Sequence, residues 1–197
     1  MVKALIYTFF LFTFTTALAQ KDYFDGYVIL NNTDTIYGKI KDRKSGSFGF
    51  LYEKIKFKPP QGRSKKYSPN DILEYKCGES LFVSMWFKVN DGILNPSAES
   101  DSNLGKKQFL KLVVKGYLSY YHVEYYNEDS NLDYTPYFKR ASETQMVFVR
   151  SGIFGLNKKQ LVTYFKDCPE LQNYILDKAF KSPYEVIAFY NDWHPKK

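Results

Sequence analysis

The apolar period of the sequence changes once along the chain. Between residues 26 and 149 several short segments alternate apolar and polar side chains, and after Gly155 apolar side chains recur at every third or fourth position. Period two marks a strand with one buried face, and a period near 3.6 marks an amphipathic helix. Strands that come first and helices that come last cannot interleave into a parallel α/β sheet. The expected class is therefore α+β: an antiparallel β-rich sheet or small open barrel followed by three short C-terminal helices. Each helix is too short to persist alone, so the tail must pack on the sheet.

Individual elements can be placed. Residues 26–30 (Gly-Tyr-Val-Ile-Leu) and 35–40 (Thr-Ile-Tyr-Gly-Lys-Ile) flank Asn31-Asn32-Thr33-Asp34, and the set reads as a hairpin. In its second strand Ile36 and Ile40 face one side, and Thr35, Tyr37 and Lys39 the other. Residues 48–58 read as strand up to Pro59-Pro60, since proline cannot donate to a ladder. Residues 67–71 read as one helical turn, with Ser68 as cap and Pro69 at its first position. Residues 72–76 and 81–87 read as strands around Gly78, and residues 90–107 as a long polar loop. Residues 109–126 alternate most strongly, bent at Gly116, and residues 127–133 read as loop. Two more strands are expected at 137–140 and 146–149. Helices are expected from Asn157, from Pro169 and from Ser182-Pro183, which carry start signals. Their apolar stripes are Leu161, Tyr164 and Phe165; Leu171, Ile175, Leu176 and Phe180; and Val186, Ile187 and Tyr190.

The N-terminus is set apart. Lys3, an apolar run dominated by phenylalanine, and Ala17-Leu18-Ala19 form the three parts of a cleavable export signal. The run is too short, and too soon followed by Gln20-Lys21-Asp22, to span a bilayer comfortably. Cleavage between Ala19 and Gln20 is expected, giving a leader at 1–19, a β-rich region at 20–155 and a helical tail at 156–197 on the same domain. The chain should act in the periplasm or at the cell surface.

That address shapes what composition implies. The formal net charge is +7, of which Lys3 contributes one. Outside the cytoplasm nucleic acid is not an expected partner. Anionic envelope glycans, an envelope protein, or peripheral contact with a membrane surface are, although ordinary solubilising charge is the simpler account. Cys77 and Cys168 are the two cysteines. Export permits a bridge between them, worth about 4 kcal/mol by chain entropy, and two buried thiols are the alternative.

The sequence carries few residue patterns that imply chemistry. His122 and Glu124 share a strand face, but a zinc site needs three or four ligands. No nucleophile elbow, phosphate loop or dinucleotide fingerprint occurs, and no cofactor is implied. Carboxylates far apart in sequence remain open as a hydrolase pair. Two surface features stand out. Lys54, Lys56 and Lys58 alternate on one strand face, with Arg63, Lys65 and Lys66 following. Tyr120, Tyr121, Tyr125 and Tyr126 crowd one strand, where exposed rings could stack on sugars and buried rings would be core.

The opening Gly-Tyr-Val-Ile-Leu with Asp34-Thr35-Ile36-Tyr37-Gly38-Lys39-Ile40, and the later Phe165-Lys166-Asp167-Cys168-Pro169-Glu170-Leu171, resemble small uncharacterised exported proteins of Bacteroidota. The resemblance implies origin and envelope location, and it transfers no catalytic residues. Asp34-Thr35-Ile36 also looks like the short O-glycosylation acceptor of exported proteins in that phylum, though a plain hairpin turn accounts for it. The expected function is that of a non-enzymatic partner-binding or structural module of the envelope, with a carbohydrate or anionic-glycan binder as the alternative. The intact mass of protein recovered from the envelope should lack residues 1–19, and Met1 retained on that protein would rule the cleavable leader out.

Overall fold

Turn chemistry starts the fold. In the computed structural model β1 (Phe24–Leu30) and β2 (Thr35–Lys41) pair antiparallel. The Leu30 N–H donates to the Asp34 carbonyl at 2.9 Å, the Asp34 N–H donates to Asn32 Oδ1 at 3.2 Å, and Thr33 takes a positive φ of 71°. The structure describes residues 23–43, 54–90, 97–127, 129, 131–150 and 155–194. The leader, the Ala19–Gln20 junction and the first part of the strand expected at 48–58 lie outside the described residues.

The remaining strands are β3 (Ile55–Lys58), β4 (Lys65–Tyr67), β5 (Ile72–Cys77), β6 (Ser80–Asn90), β7 (Ser97–Glu99), β8 (Lys106–Val114), β9 (Leu118–Tyr126), β10 (Leu132–Arg140) and β11 (Gln145–Phe148). Strands β6-β7-β11-β10-β9-β8 close into a six-stranded antiparallel barrel through the β6–β8 pairing. Strands β4-β3-β2-β1-β5 form an outer sheet that joins the barrel where β5 pairs with β6. Three helices follow: α1 (Lys158–Tyr164), α2 (Pro169–Leu176) and α3 (Pro183–Trp193). The architecture is the expected α+β one, with the barrel closed rather than open.

Strand parity sorts the apolar residues into three cores. Phe87, Leu110, Tyr121, Tyr137 and Met146 point into the barrel. Val28, Ile40, Phe57 and Tyr75 from the outer sheet pack with Phe82 and Phe109, which point outward from β6 and β8. Leu118, Tyr120, Phe138 and Val147 point outward on the other side and are covered by Leu161, Phe165, Leu171, Ile175, Val186 and Tyr190 of the tail.

Several expectations change. Residues 65–66, 97–99 and 132–133, expected as loop, are strand, as are Tyr67, expected in a helical turn, and residues 134–136, left unassigned. Each is short or polar on its own and is fixed by partners far away in sequence: β7 is held between β6 and β11. Residues 68–71 form a hydrogen-bonded turn rather than a capped helix start, with Asp71 accepting from the Ser68 N–H at 2.7 Å. Asn157 precedes α1 but makes no capping bond; its amide donates to Gln160 instead. Ser182 and Glu185 do form a reciprocal capping box on α3. Phe180 lies beyond α2, its ring against Tyr174 and Phe189.

Of the two alternatives for the cysteines, the structure has the buried thiols. Cys77 belongs to the outer-sheet core and Cys168 to the helical core, and no disulfide joins them. Burial, and then the Asp42 carboxylate, push the Cys77 thiol up to about 12, which makes it an inert packing residue.

Two buried arginines fasten the outer layers to the barrel. Arg43, 5% exposed, lies just past β2. It donates to the Phe109 carbonyl of β8 at 3.1 Å and to Glu124 of β9 at 2.9 Å, over the Phe82 ring. Arg140, 7% exposed, ends β10. It donates to the Tyr190 hydroxyl at 2.8 Å, the Tyr164 carbonyl at 2.9 Å, Glu143 at 2.8 Å and Asp167 at 2.7 Å. Asn191 of α3 adds a two-point clamp, accepting from the Leu118 N–H at 2.8 Å and donating to its carbonyl at 3.0 Å. Its amide fills the space a Cβ would need at Gly116, which explains the glycine where the chain turns between β8 and β9. Arg140→Ala would remove the guanidinium from Glu143, Asp167 and the Tyr164 carbonyl, leaving Asp167 with the Tyr190 hydroxyl. It should cost about 3–5 kcal/mol in urea unfolding, the usual penalty for breaking a buried ion pair from one side.

Candidate functional site

Pairing register, rather than sequence proximity, assembles the most distinctive surface. In an antiparallel ladder residues directly opposite share a face, and residues two apart on one strand stay on that face. The outer sheet turns one face to its core and leaves the other to solvent. Three rungs cross the solvent face. Lys76 of β5 stands opposite Tyr27 of β1, which stands opposite Tyr37 of β2. Asp25, Lys39 and Lys58 form the second rung across β1, β2 and β3. Lys41, Lys56 and Lys66 form the third across β2, β3 and β4. Neighbouring side chains within a rung are about 5 Å apart at the backbone, and the rungs about 7 Å apart.

The third rung is all lysine, and Lys39 faces Lys58 directly. Like charges directly opposite destabilise a sheet by up to about 1 kcal/mol per pair. Lys41 also lies over the Tyr23 ring at 5.9 Å, and among the described residues two carboxylates stand on this face. Asp25 approaches Lys39 at 3.8 Å with both side chains well exposed, an arrangement worth little. Glu74 accepts the Tyr27 hydroxyl at 2.8 Å. Burial, and then that bond, push the Tyr27 phenol up to about 12.

Beside the lysines lies an open groove of about 920 Å³, lined by Phe24, Tyr27, Tyr37, Pro59 and Pro60 together with Lys39, Lys58 and Lys76. Phe24 is 52% and Tyr37 69% exposed, and the Tyr27 and Tyr37 rings meet edge to face at 5.9 Å. The floor is set by glycine. On the core side Gly38 opposes Gly26, and the Phe57 ring occupies the space a Cβ at Gly38 would need.

Of the residues singled out from sequence, Lys54, Lys56 and Lys58 are exposed, and Lys56 and Lys58 sit in these rungs. Lys66 joins them, whereas Lys65 pairs with Phe57 on the opposite parity. The tyrosines are divided between different surroundings. Tyr120 is 2% exposed in the helical core, and Tyr121 is buried in the barrel. Tyr125 is 43% exposed and within 3.4 Å of Asp133. Tyr126 falls on the opposite parity, as consecutive strand residues must. Sequence reading missed Tyr27, Lys41 and Lys76, whose membership depends on pairings between β1, β2, β3 and β5, and Phe24, which pairs with Ile40 on the core parity but lines the groove from the start of β1.

Among the described residues no cluster of three or more His, Cys, Asp or Glu could hold a metal ion, and no helix is long and apolar enough to cross a membrane. His122 stacks on Tyr134 at 3.9 Å, and its buried Nε2 has no hydrogen-bond partner. Glu124 is engaged by Arg43 and, at 3.4 Å, by Lys111. Compared with protein-family models, curated proteins and solved structures, the chain gives no match.

Burial, and then the Lys111 charge, lower His122 from its usual 6.5 to about 4. The unfolded chain therefore binds a proton at this residue that the folded one refuses between those values. Its contribution to stability is complete above pH 6.5, falls as pH drops toward 4, and levels off below that. His122→Phe should flatten the dependence of the urea midpoint between pH 7 and pH 4.5 relative to the parent; parallel curves for the two proteins would contradict the assignment.

Proposed function

We propose that this chain is a non-enzymatic binding module of the cell envelope that holds an anionic polymer on the solvent face of its outer sheet. The observation that carries the reading is the register: lysine opposite lysine on β2 and β3, extended to β4 by Lys66. A sheet face needs polar residues to meet water, but it does not need like charges in contact. An array that repels itself when empty is stabilised by a ligand that brings the opposite charge. The export signal read from residues 1–19 favours an envelope polymer over nucleic acid as that ligand.

The catalytic alternative has less support. A hydrolase of this kind needs two carboxylates presented together in a cleft. On this face Glu74 is hydrogen-bonded to Tyr27, and Asp25 is exposed beside Lys39. The arrangement is one of cations on a rigid platform, suited to holding a chain of negative charges.

The reading couples binding to stability in opposite directions. Replacing Lys39, Lys56 and Lys58 together by Gln should abolish retention on an immobilised acidic polysaccharide such as polygalacturonate. The same change should leave the ligand-free protein as stable, or more stable by a few tenths of a kcal/mol. Retention of the parent protein should fall as salt rises. A triple variant that binds like the parent would exclude this face as the binding surface.

A further inference from the structure

We infer that the polymer is a polysaccharide and that one of its sugar rings docks in the groove beside the lysines, on Tyr37 and Phe24. This rests on the reading of the lysine face as an anion site and adds the chemical class of the ligand. Three observations carry it. The first is ring exposure: Tyr37, on the solvent parity of β2, is 69% exposed, and Phe24, opposite Ile40 at the start of β1, is still 52% exposed although its parity is that of the core. An aromatic ring left in water on a folded sheet forgoes burial that it could otherwise have had.

The second is placement. Tyr37 precedes Lys39 by two residues on β2, so the two side chains leave the same face about 7 Å apart at the backbone. Lys76 stands at the other end of the same rung, and Lys58 lines the groove beyond Lys39. A ligand that lies across this surface meets an apolar plate and then cations at the distance of one strand repeat. An acidic sugar polymer has that alternation, because its rings carry apolar C–H faces and its carboxylates carry charge. A polyphosphate carries the charge without the apolar face, and it gives Tyr37 and Phe24 no task.

The third is shape. The groove is concave, with Pro59 and Pro60 on the β3 side and Gly78 and Glu79 at the β5 end. A bilayer surface is flat on this scale and does not enter it. Tyr27 closes the inner wall with its hydroxyl committed to Glu74, so its edge, not its polar tip, supports Tyr37. Two proline residues and a hydrogen-bonded tyrosine make the walls stiff, which limits the ordering lost when a chain binds.

The test compares full-length mature protein with Tyr37→Ala, Phe24→Ala, Tyr37→Phe and the Lys39/Lys56/Lys58 triple Gln variant. Each is titrated with oligogalacturonate, with inorganic polyphosphate and with vesicles rich in phosphatidylglycerol. Both rings are exposed, so the alanine variants should fold, as circular dichroism would verify. The expected result is about tenfold weaker oligogalacturonate binding for Tyr37→Ala and Phe24→Ala, the loss of one well-placed aromatic anchor. Tyr37→Phe should keep parental affinity, since the ring and not the hydroxyl is used. Polyphosphate binding should be unaffected by either alanine change. If both alanine variants bind the sugar polymer like the parent while the triple variant does not, ring docking is wrong and the lysine face stands. If the triple variant also binds like the parent, both readings fall. Vesicle binding tighter than oligogalacturonate binding, and dependent on Tyr37, would replace the polysaccharide with a membrane surface.

Discussion

The fold depends on how β6 divides its edges. One edge pairs with β8 from Leu81 to Phe87. The other pairs first with β5, from Ser80 to Val83, and then with β7, from Lys88 to Asn90. A strand of ordinary length could serve one neighbour on each side. With eleven residues β6 serves three, so the sheet splits: one branch closes as the barrel and the other runs on as the outer sheet. Because Phe82 and Phe109 point outward from the barrel and join Val28, Ile40 and Phe57, the outer sheet buries the face that continues the barrel's exterior. The face that continues the barrel's interior is therefore the one left to solvent. The lysine rungs lie there, with the same parity as Val83 and Leu112 inside the barrel.

The cations of the chain are divided by chemistry. Among the described residues Arg43 and Arg140 are the buried ones, and each reaches several acceptors on separate elements. A planar guanidinium with five donors is weakly hydrated and can satisfy such a set at once, whereas an ammonium is strongly hydrated and rarely does. Around Arg140 the Tyr164, Phe165 and Tyr190 rings complete the cage. The lysines stay at the surface, where flexible stems let the charge follow a ligand. Arginine fixes the layers relative to the barrel, and lysine faces outward from the layer so fixed.

The period change was enough to read the class, the first hairpin, and the three helical starts at the tail. It could not give closure. Strand β7 is three residues, Ser97 to Glu99, with Ala98 alone buried, and no alternation survives at that length. Its identity comes from β6 and β11, which lie on either side of it in space and not in sequence. The tyrosines of β9 mislead for a related reason. Their number suggests an exposed aromatic surface only if a single face must hold them. The barrel takes Tyr121 and the helices take Tyr120, so both parities are buried at that point. For the lysines the sequence showed alternation on β3 but not the register, and the register is what sets Lys56 between Lys41 and Lys66.

Edge protection is the strongest competing account of the basic face, and it explains only part of it. Strand β4 is the exposed end of the outer sheet, three residues long and two of them lysine, which is how natural sheets discourage pairing with another chain. That purpose accounts for Lys65 and Lys66. It does not account for Lys39, which sits between Asp25 of β1 and Lys58 of β3, inside the sheet; Lys58 itself lies past the end of the β3–β4 pairing, where its outer side is open. Nor does it account for Tyr37 beside them, because an exposed aromatic ring invites contact where an edge lysine repels it. A face that tolerates internal repulsion and also keeps an aromatic ring in water has two local costs. A single acidic, ring-bearing ligand relieves both at once.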